Sequence, residues 1–203
     1  HRSNVHLLFQ EAEDVKLLER FIDKETVFVD VGAYIGFYTV WACRRVEKVV
    51  AVEPNPLALA YLRANVALNN CGNVAVVPKA ASDEKGVVEL KVPKPALAGH
   101  IPTTASIVWR HREALSFHVE ADTLDSIVEE AAGGEADIVK IDVEGAEGLV
   151  VKGAERTLKR ARVAYIEIWP ENIWIADYMA KLDYKLHGVV DHGAYRNYLF
   201  IKT

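Results

Sequence analysis

Apolar positions along this chain fall into short runs that switch between two spacings, and the switching predicts most of the elements. Residues 11–23 (EAEDVKLLERFID) set Val15, Leu17, Leu18, Phe21 and Ile22 among charges at roughly helical spacing, which predicts an amphipathic helix. Residues 26–31 (TVFVDV) are β-branched and aromatic, the pattern of a strand covered on both faces. By the same reading, helices are predicted at 37–45, 56–69, 124–132, 146–160 and 172–182. Strands are predicted at 48–52, 74–78, 87–92, 116–120, 137–142 and 163–168. Strands alternating with helices imply an α/β fold, a mostly parallel sheet with helices on both faces. The last third departs from that rhythm. Runs 184–190 and 195–201 are joined by a turn at Asp191-His-Gly-Ala, a hairpin that makes the last strand antiparallel. No repeat or linker interrupts the pattern, so residues 1–203 are expected to form a single domain. Residues 1–25 are its helical lead-in, and 93–115 a lid or acceptor loop, because structureless loops of that length tend to be functional.

Composition narrows the classes. Apolar residues make up 51% of the chain, ample for a core that folds alone. Lys and Arg number 24 against 29 Asp and Glu, a net charge of −5, so nucleic acid is an unlikely partner. Cys43 and Cys71 lie 28 residues apart with no C-x-x-C pair, from which neither a disulfide nor a metal site is expected, and a reducing cytoplasm fits. The longest uncharged stretch, Pro95–Trp109, is 15 residues with Pro and Gly inside it, so no membrane-spanning helix is expected. The chain starts at His1 rather than Met, which points to a trimmed N-terminus.

The clearest chemistry sits where the first predicted strand ends. Val31-Gly32-Ala33-Tyr34-Ile35-Gly36 joins a strand to a helix. There Gly32 permits a tight turn, Gly36 a close approach of helix to strand, and free backbone N–H groups face a polar ligand. Glu53 closes the second strand, placed to accept hydrogen bonds from both hydroxyls of a ribose. The pattern G-x-x-x-G lacks the middle glycine of a diphosphate-binding turn, which favours a nucleoside without phosphate, such as S-adenosylmethionine, over NAD(P). Asp30 reads either as the partner of that ligand's ammonium or as a side chain bonded to the turn's own amides.

These segments, with VVAVEPNPLALAYLRANVALNN, AASDEKGVVEL, ADTLDSI and IVKIDVEGAEGLVVKGAERTL, resemble the FkbM-type methyltransferases, a branch of the class I S-adenosylmethionine-dependent enzymes. The resemblance runs through nearly the whole chain. It implies a Rossmann-like seven-stranded sheet with an antiparallel last strand, S-adenosylmethionine as cofactor, and methyl transfer to an oxygen of a small molecule or sugar. In that family Ser82 and Asp83 could meet the adenine amino group, or else simply cap their loop. Tyr34 departs from the Asn usual in the family's turn, and 100–112 has no counterpart that would name the acceptor. Two other classes remain: an NAD(P)-dependent oxidoreductase, and an RNA-associated or non-catalytic cofactor-binding module.

Catalytic candidates follow the later strands. Lys140 and Asp142 share one face of Ile138–Asp142, and charges on a covered strand need partners. Glu167 interrupts an equally apolar strand, so a Lys140–Glu167 ion pair is expected if, as the resemblance implies, the strands are neighbours. Ligands of parallel sheets bind beyond the strands' carboxyl ends, where Asp142, Glu144 and Trp169 should emerge. Asp142 is the first candidate for the base that deprotonates a hydroxyl, and a cofactor contact whose charge favours the sulfonium, with Glu144 the second base candidate and Lys140 and Glu167 supporting them. Glu147 suits the helix dipole, and His118 and His192 are rival bases. Trp109-Arg110-His111-Arg112 could hold an acceptor or form a solvated turn, and Asp122 or Thr123 reads as a helix N-cap.

Overall fold

The computed structural model describes residues 14–94, 105–108 and 114–203. Seven strands form the main sheet: β1 (Val27–Val31), β2 (Lys48–Val52), β3 (Val74–Val77), β7 (Ile138–Ile141), β8 (Val163–Ile168), β9 (Tyr184–Asp191) and β10 (Arg196–Lys202). Their order is β3-β2-β1-β7-β8-β10-β9. All neighbours pair in parallel except β10, which runs antiparallel to both β8 and β9. This is the Rossmann-like α/β sheet that the periodicity and the resemblance implied, with the order reversing beside β1 and β7, where such sheets form their crevice.

Burial explains why the central strands read so clearly. Every residue of β1 is buried, its side chains dividing between two apolar layers. Val29 and Val31 join Val139, Ile141 and Ile166 on one face, while Phe28 meets Ile138, Val163 and Tyr165 on the other. Helices α1 (Phe37–Cys43) and α2 (Pro56–Leu68) follow β1 and β2. Helix α2 starts with Pro56 in its first turn and Asn55 as N-cap, whose side chain accepts from Leu57 N–H at 3.0 Å. Helix α3 (Leu124–Ala132) begins at the N-cap Thr123, as expected, and ends at a left-handed Gly133.

Other expectations need correction. The helix expected over 146–160 is two, α4 (Glu147–Lys152) and α5 (Glu155–Arg160). The break falls at Gly153, where a Cβ would lie 1.9 Å from Ser82 O, so only glycine fits against that distant strand. The helix expected from Asn172 starts later, α6 (Trp174–Lys181), behind a 3-10 turn over Pro170–Asn172. Of the lead-in helix, residues 14–18 are helical and pass into a 3-10 turn at Glu19–Phe21, while 1–13 lie outside the described residues. The strands expected at 87–92 and 116–120 leave the main sheet. They are β5 (Gly86–Pro93) and β6 (Ala114–Thr123), which with the short β4 (Ala80–Ser82) form a separate sheet ordered β4-β6-β5.

Cys43 and Cys71 are joined in a disulfide, with Cα atoms 5.6 Å apart, contrary to expectation. Spacing in sequence hides the pairing because packing of α1 beside α2 brings the end of one against the loop that follows the other. The cysteines therefore no longer support a reducing compartment. Among the described residues no helix is long and apolar enough to cross a membrane.

The disulfide closes a loop spanning 28 positions, worth about 3 to 4 kcal/mol by chain entropy. Unfolded protein should take up two alkyl groups only after reduction, read by intact mass, and reduction should lower the denaturation midpoint correspondingly.

Candidate functional site

Two turns meet where β1 and β7 end. The register aligns Asp30 with Lys140, and Lys140 with Tyr165, so these side chains leave one face of the sheet at one level. Lys140 Nζ lies 3.4 Å from Asp30 Oδ1 and 3.3 Å from Asp142 Oδ2, donates to Gly32 O at 3.1 Å, and sits 5.0 Å over the Tyr38 ring. Lys140 is only 3% exposed. Burial alone would lower its pKa, but the Asp142 and Asp30 carboxylates outweigh that and raise it, keeping the ammonium charged. Asp30 is fully buried and also accepts from Thr39 Oγ1 at 2.6 Å. It therefore braces Lys140 rather than capping the turn's amides.

The turns themselves press together. Gly32 has φ +78°, and a Cβ there would stand 1.7 Å from Asp142 O, so only glycine lets the strands end this close. Gly36 makes its close approach to α2 instead of to the strand: a Cβ would meet Leu62 Cδ1 at 2.7 Å. Tyr34, at φ +51°, occupies left-handed space that Asn tolerates better, which accounts physically for the Asn usual at that place in the resembling family. Its N–H donates to Glu53 Oε2 at 2.7 Å, and Asn55 N–H donates to Glu53 Oε1 at 2.7 Å. Each carboxylate oxygen keeps a further lone pair for a ligand hydroxyl. Burial pushes the Glu53 carboxyl up to about 7, against the pull of those amides and of Lys140.

A second left-handed residue, Glu144 at φ +55°, follows Asp142. Its turn is held from three sides. Glu147, fully buried, accepts from Gly145 N–H at 2.8 Å and from Asn172 Nδ2 at 3.0 Å. Asn172 Nδ2 also donates to Gly145 O at 3.0 Å, and Ser106 Oγ donates to Glu144 O at 2.8 Å. Glu147 is thus a turn-bracing side chain. Neither Asn172 nor Ser106 carries a sequence signal that separates it from any loop residue.

The expected Lys140–Glu167 pair is absent from this arrangement. Register sets Lys140 opposite Tyr165, which leaves Glu167 a full side-chain repeat further on. Glu167 instead accepts from Trp169 Nε1 at 2.7 Å. Burial first, then the neighbouring Asp142, Glu144 and Glu147, raise its pKa far above the usual carboxylate range. Burial and the same kind of neighbours raise Glu144 as well. Trp169 and Tyr195 rings lie 5.3 Å apart, and His192 lies 5.0 Å from Tyr195, forming an aromatic wall beside the acids. His192 Nε2 lies 3.2 Å from Asn197 Nδ2 and 3.7 Å from Asp14 Oδ2, so it belongs to a structural cluster. His118 is exposed on β6, paired with Glu89 in the small sheet.

Asp30, Gly32, Tyr34, Glu53, Lys140, Asp142, Glu144 and Glu167 therefore converge. Ser82 packs against Gly153 at the end of α4, and its Oγ donates to Asp83 Oδ1 at 3.1 Å. Trp109 to Arg112 and most of the 93–115 loop lie outside the described residues, but Ser106 brings part of that loop to the Glu144 turn.

The Methyltransferase FkbM domain family matches residues 30–199. Among solved structures, a methyltransferase FkbM of Methylobacillus flagellatus is 20% identical with a TM-score of 0.61, over 88% of this chain and 44% of that one. A Streptococcus mutans protein crystallised in complex with SAH is 12% identical with a TM-score of 0.60, over 96% of this chain and 98% of that one. At these identities the likeness shows the fold. An uncharacterized protein of Methanocaldococcus jannaschii is 29% identical over 65 residues, 32% of this chain. This chain thus aligns with 44% of the Methylobacillus structure and 25% of the Methanocaldococcus protein.

Removing Lys140 leaves Asp30 buried without a counter-charge. Lys140→Met should destabilise the protein by about 3 to 5 kcal/mol in urea denaturation. The double variant Asp30→Asn/Lys140→Met should recover part of that loss.

Proposed function

The chain belongs to the FkbM methyltransferase domain family, and from that premise we propose that it transfers the methyl group of S-adenosylmethionine to a hydroxyl oxygen of a small molecule or sugar. The observation that carries this reading is the junction of the two turns, with Glu53 on one flank and the carboxylates of Asp142 and Glu144 on the other. The donor set fits the cofactor. Glu53 offers two acceptor oxygens, already oriented by the amides of Tyr34 and Asn55, to the paired hydroxyls of a ribose. The Gly32–Gly36 turn brings backbone close, and the acids beyond it favour positive charge.

When bound, S-adenosylmethionine supplies an electrophilic methyl carbon on a cationic sulfur. The remaining work falls to this chain. Asp142, tied to Lys140 yet 39% exposed at its side chain, accepts the proton of the acceptor hydroxyl. Held by Glu53 and the Gly32–Gly36 turn, the donor would supply its methyl carbon to that oxygen, and its sulfur would keep the bonding pair. Lys140 keeps Asp142 aimed, and Glu144 is the second acceptor for the proton. The Trp169 and Tyr195 rings, 5.3 Å apart, offer apolar surface beside the acids for the acceptor to pack on.

Calorimetry against S-adenosylhomocysteine and a screen of hydroxyl compounds with methyl-labelled donor test this. A thermal shift with NADH but not with S-adenosylhomocysteine would overturn it. Glu53→Gln should weaken S-adenosylhomocysteine roughly 10- to 100-fold by loss of a charged acceptor. Because the ionised form of Glu53 binds the hydroxyls and its carboxyl titrates near 7, wild-type affinity should rise as pH increases through that value. In Glu53→Gln the profile should be flat. Asp142→Asn should lower turnover about 10²- to 10⁴-fold while cofactor affinity changes little.

A further inference from the structure

The Ser106 hydroxyl links the small sheet to the candidate site. Ser106 forms an isolated antiparallel bridge with Lys91 on β5, each backbone N–H donating to the other's carbonyl at 3.0 Å. Its side chain, in a residue 1% exposed, donates to Glu144 O at 2.8 Å and accepts from Val108 N–H at 3.2 Å. The carbonyl it engages belongs to a residue held in left-handed space. A glutamate pays for that setting in steric strain, and it persists only where the surroundings fix it.

We infer that Ser106 is a positioning residue for Glu144. By anchoring the Glu144 carbonyl, it fixes the orientation of the peptide that leads into Gly145 and so the direction in which the Glu144 side chain leaves the backbone. Glu147 on α4 and Asn172 in the 3-10 turn after β8 hold the Gly145 side of the same turn. Ser106 holds the Glu144 side from β5. The turn is therefore complete only when the strap at 105–108 is docked on the small sheet, and the part of the chain expected to meet the acceptor is linked to an acid expected to serve the reaction. The inference rests on the methyltransferase reading for its kinetic consequence, but the clamp itself is a statement about this turn.

A double-mutant cycle decides it. Ser106→Ala, Ser106→Thr, Glu144→Gln and the combination Ser106→Ala/Glu144→Gln are compared in three measurements. In titration with S-adenosylhomocysteine, Ser106→Ala should stay within about twofold of wild type, since the Glu53 side of the cradle is untouched. In turnover with a hydroxyl acceptor taken from the labelled-donor screen, Ser106→Ala should lose about tenfold in kcat with the donor KM unchanged. Ser106→Thr, which keeps the hydroxyl, should recover most of that loss, and Ser106→Ala should cost nothing further in the Glu144→Gln background. Amide hydrogen exchange over 141–148 should speed up in Ser106→Ala at constant global stability. Additive losses in the double variant, or a loss that appears in S-adenosylhomocysteine affinity, would show that Ser106 does not act through Glu144. Unchanged exchange would show that it does not clamp the turn. If Glu144→Gln keeps full turnover, the assignment of Glu144 to the reaction fails on its own, and the exchange measurement still decides whether Ser106 holds the turn.

Discussion

One buried ammonium organises this molecule's working end. Lys140 is surrounded by the carboxylates of Asp30 and Asp142, the carbonyl of Gly32 and the face of Tyr38. Without those partners a charge at this depth would cost several kcal/mol in lost hydration. With them it becomes a tie between two strands that meet nowhere near each other in sequence. The tie fixes the height of both glycine-bearing turns, and their contact at Gly32 and Asp142 leaves no room for either to shift alone. Everything the site offers a ligand is built on that shared footing.

Beyond the tie, charge is unbalanced by design of the fold. Asp142, Glu144, Glu147 and Glu167 crowd one end of the sheet, and Lys140 sits directly against Asp142. The buried acids answer by holding protons more tightly than a carboxyl in water, and Glu147 also by taking backbone N–H groups as partners. Such a pocket is lined by oxygen acceptors. It suits a cationic donor whose charge disappears on reaction, because the product then leaves a site that no longer attracts it as strongly.

How much of this could be read from the residues alone depends on the range of the interactions. Strands β2 and β8 and helix α3 were legible to the residue, because a doubly covered strand is a continuous apolar run and α3 carries its own cap in Thr123. Gly32, Glu53 and Asp142 were legible because strand ends in a parallel sheet point to one crevice. What escaped depended on distant contacts. Lys140 was assigned Glu167 because counting from strand ends ignores register, whereas the ladder places Tyr165 beside it. The need for glycine at 153 comes from Ser82 O, and the Cys43–Cys71 bond from how two helices pack. Ser106 is an unremarkable serine in a loop until its neighbour is known.

The position of β10 has a further bearing, on how the molecule comes into being. This strand is made after β9 yet lies between β9 and β8, so the sheet closes by insertion rather than by growth at an edge. It also carries Asn197, whose amide reaches Asp14 in the lead-in helix across 183 positions of sequence. A nascent chain leaving the ribosome can pair β1, β2 and β3 early. The Asp14–Asn197 contact and the β8-β10-β9 end of the sheet must wait until residues 196–202 have emerged.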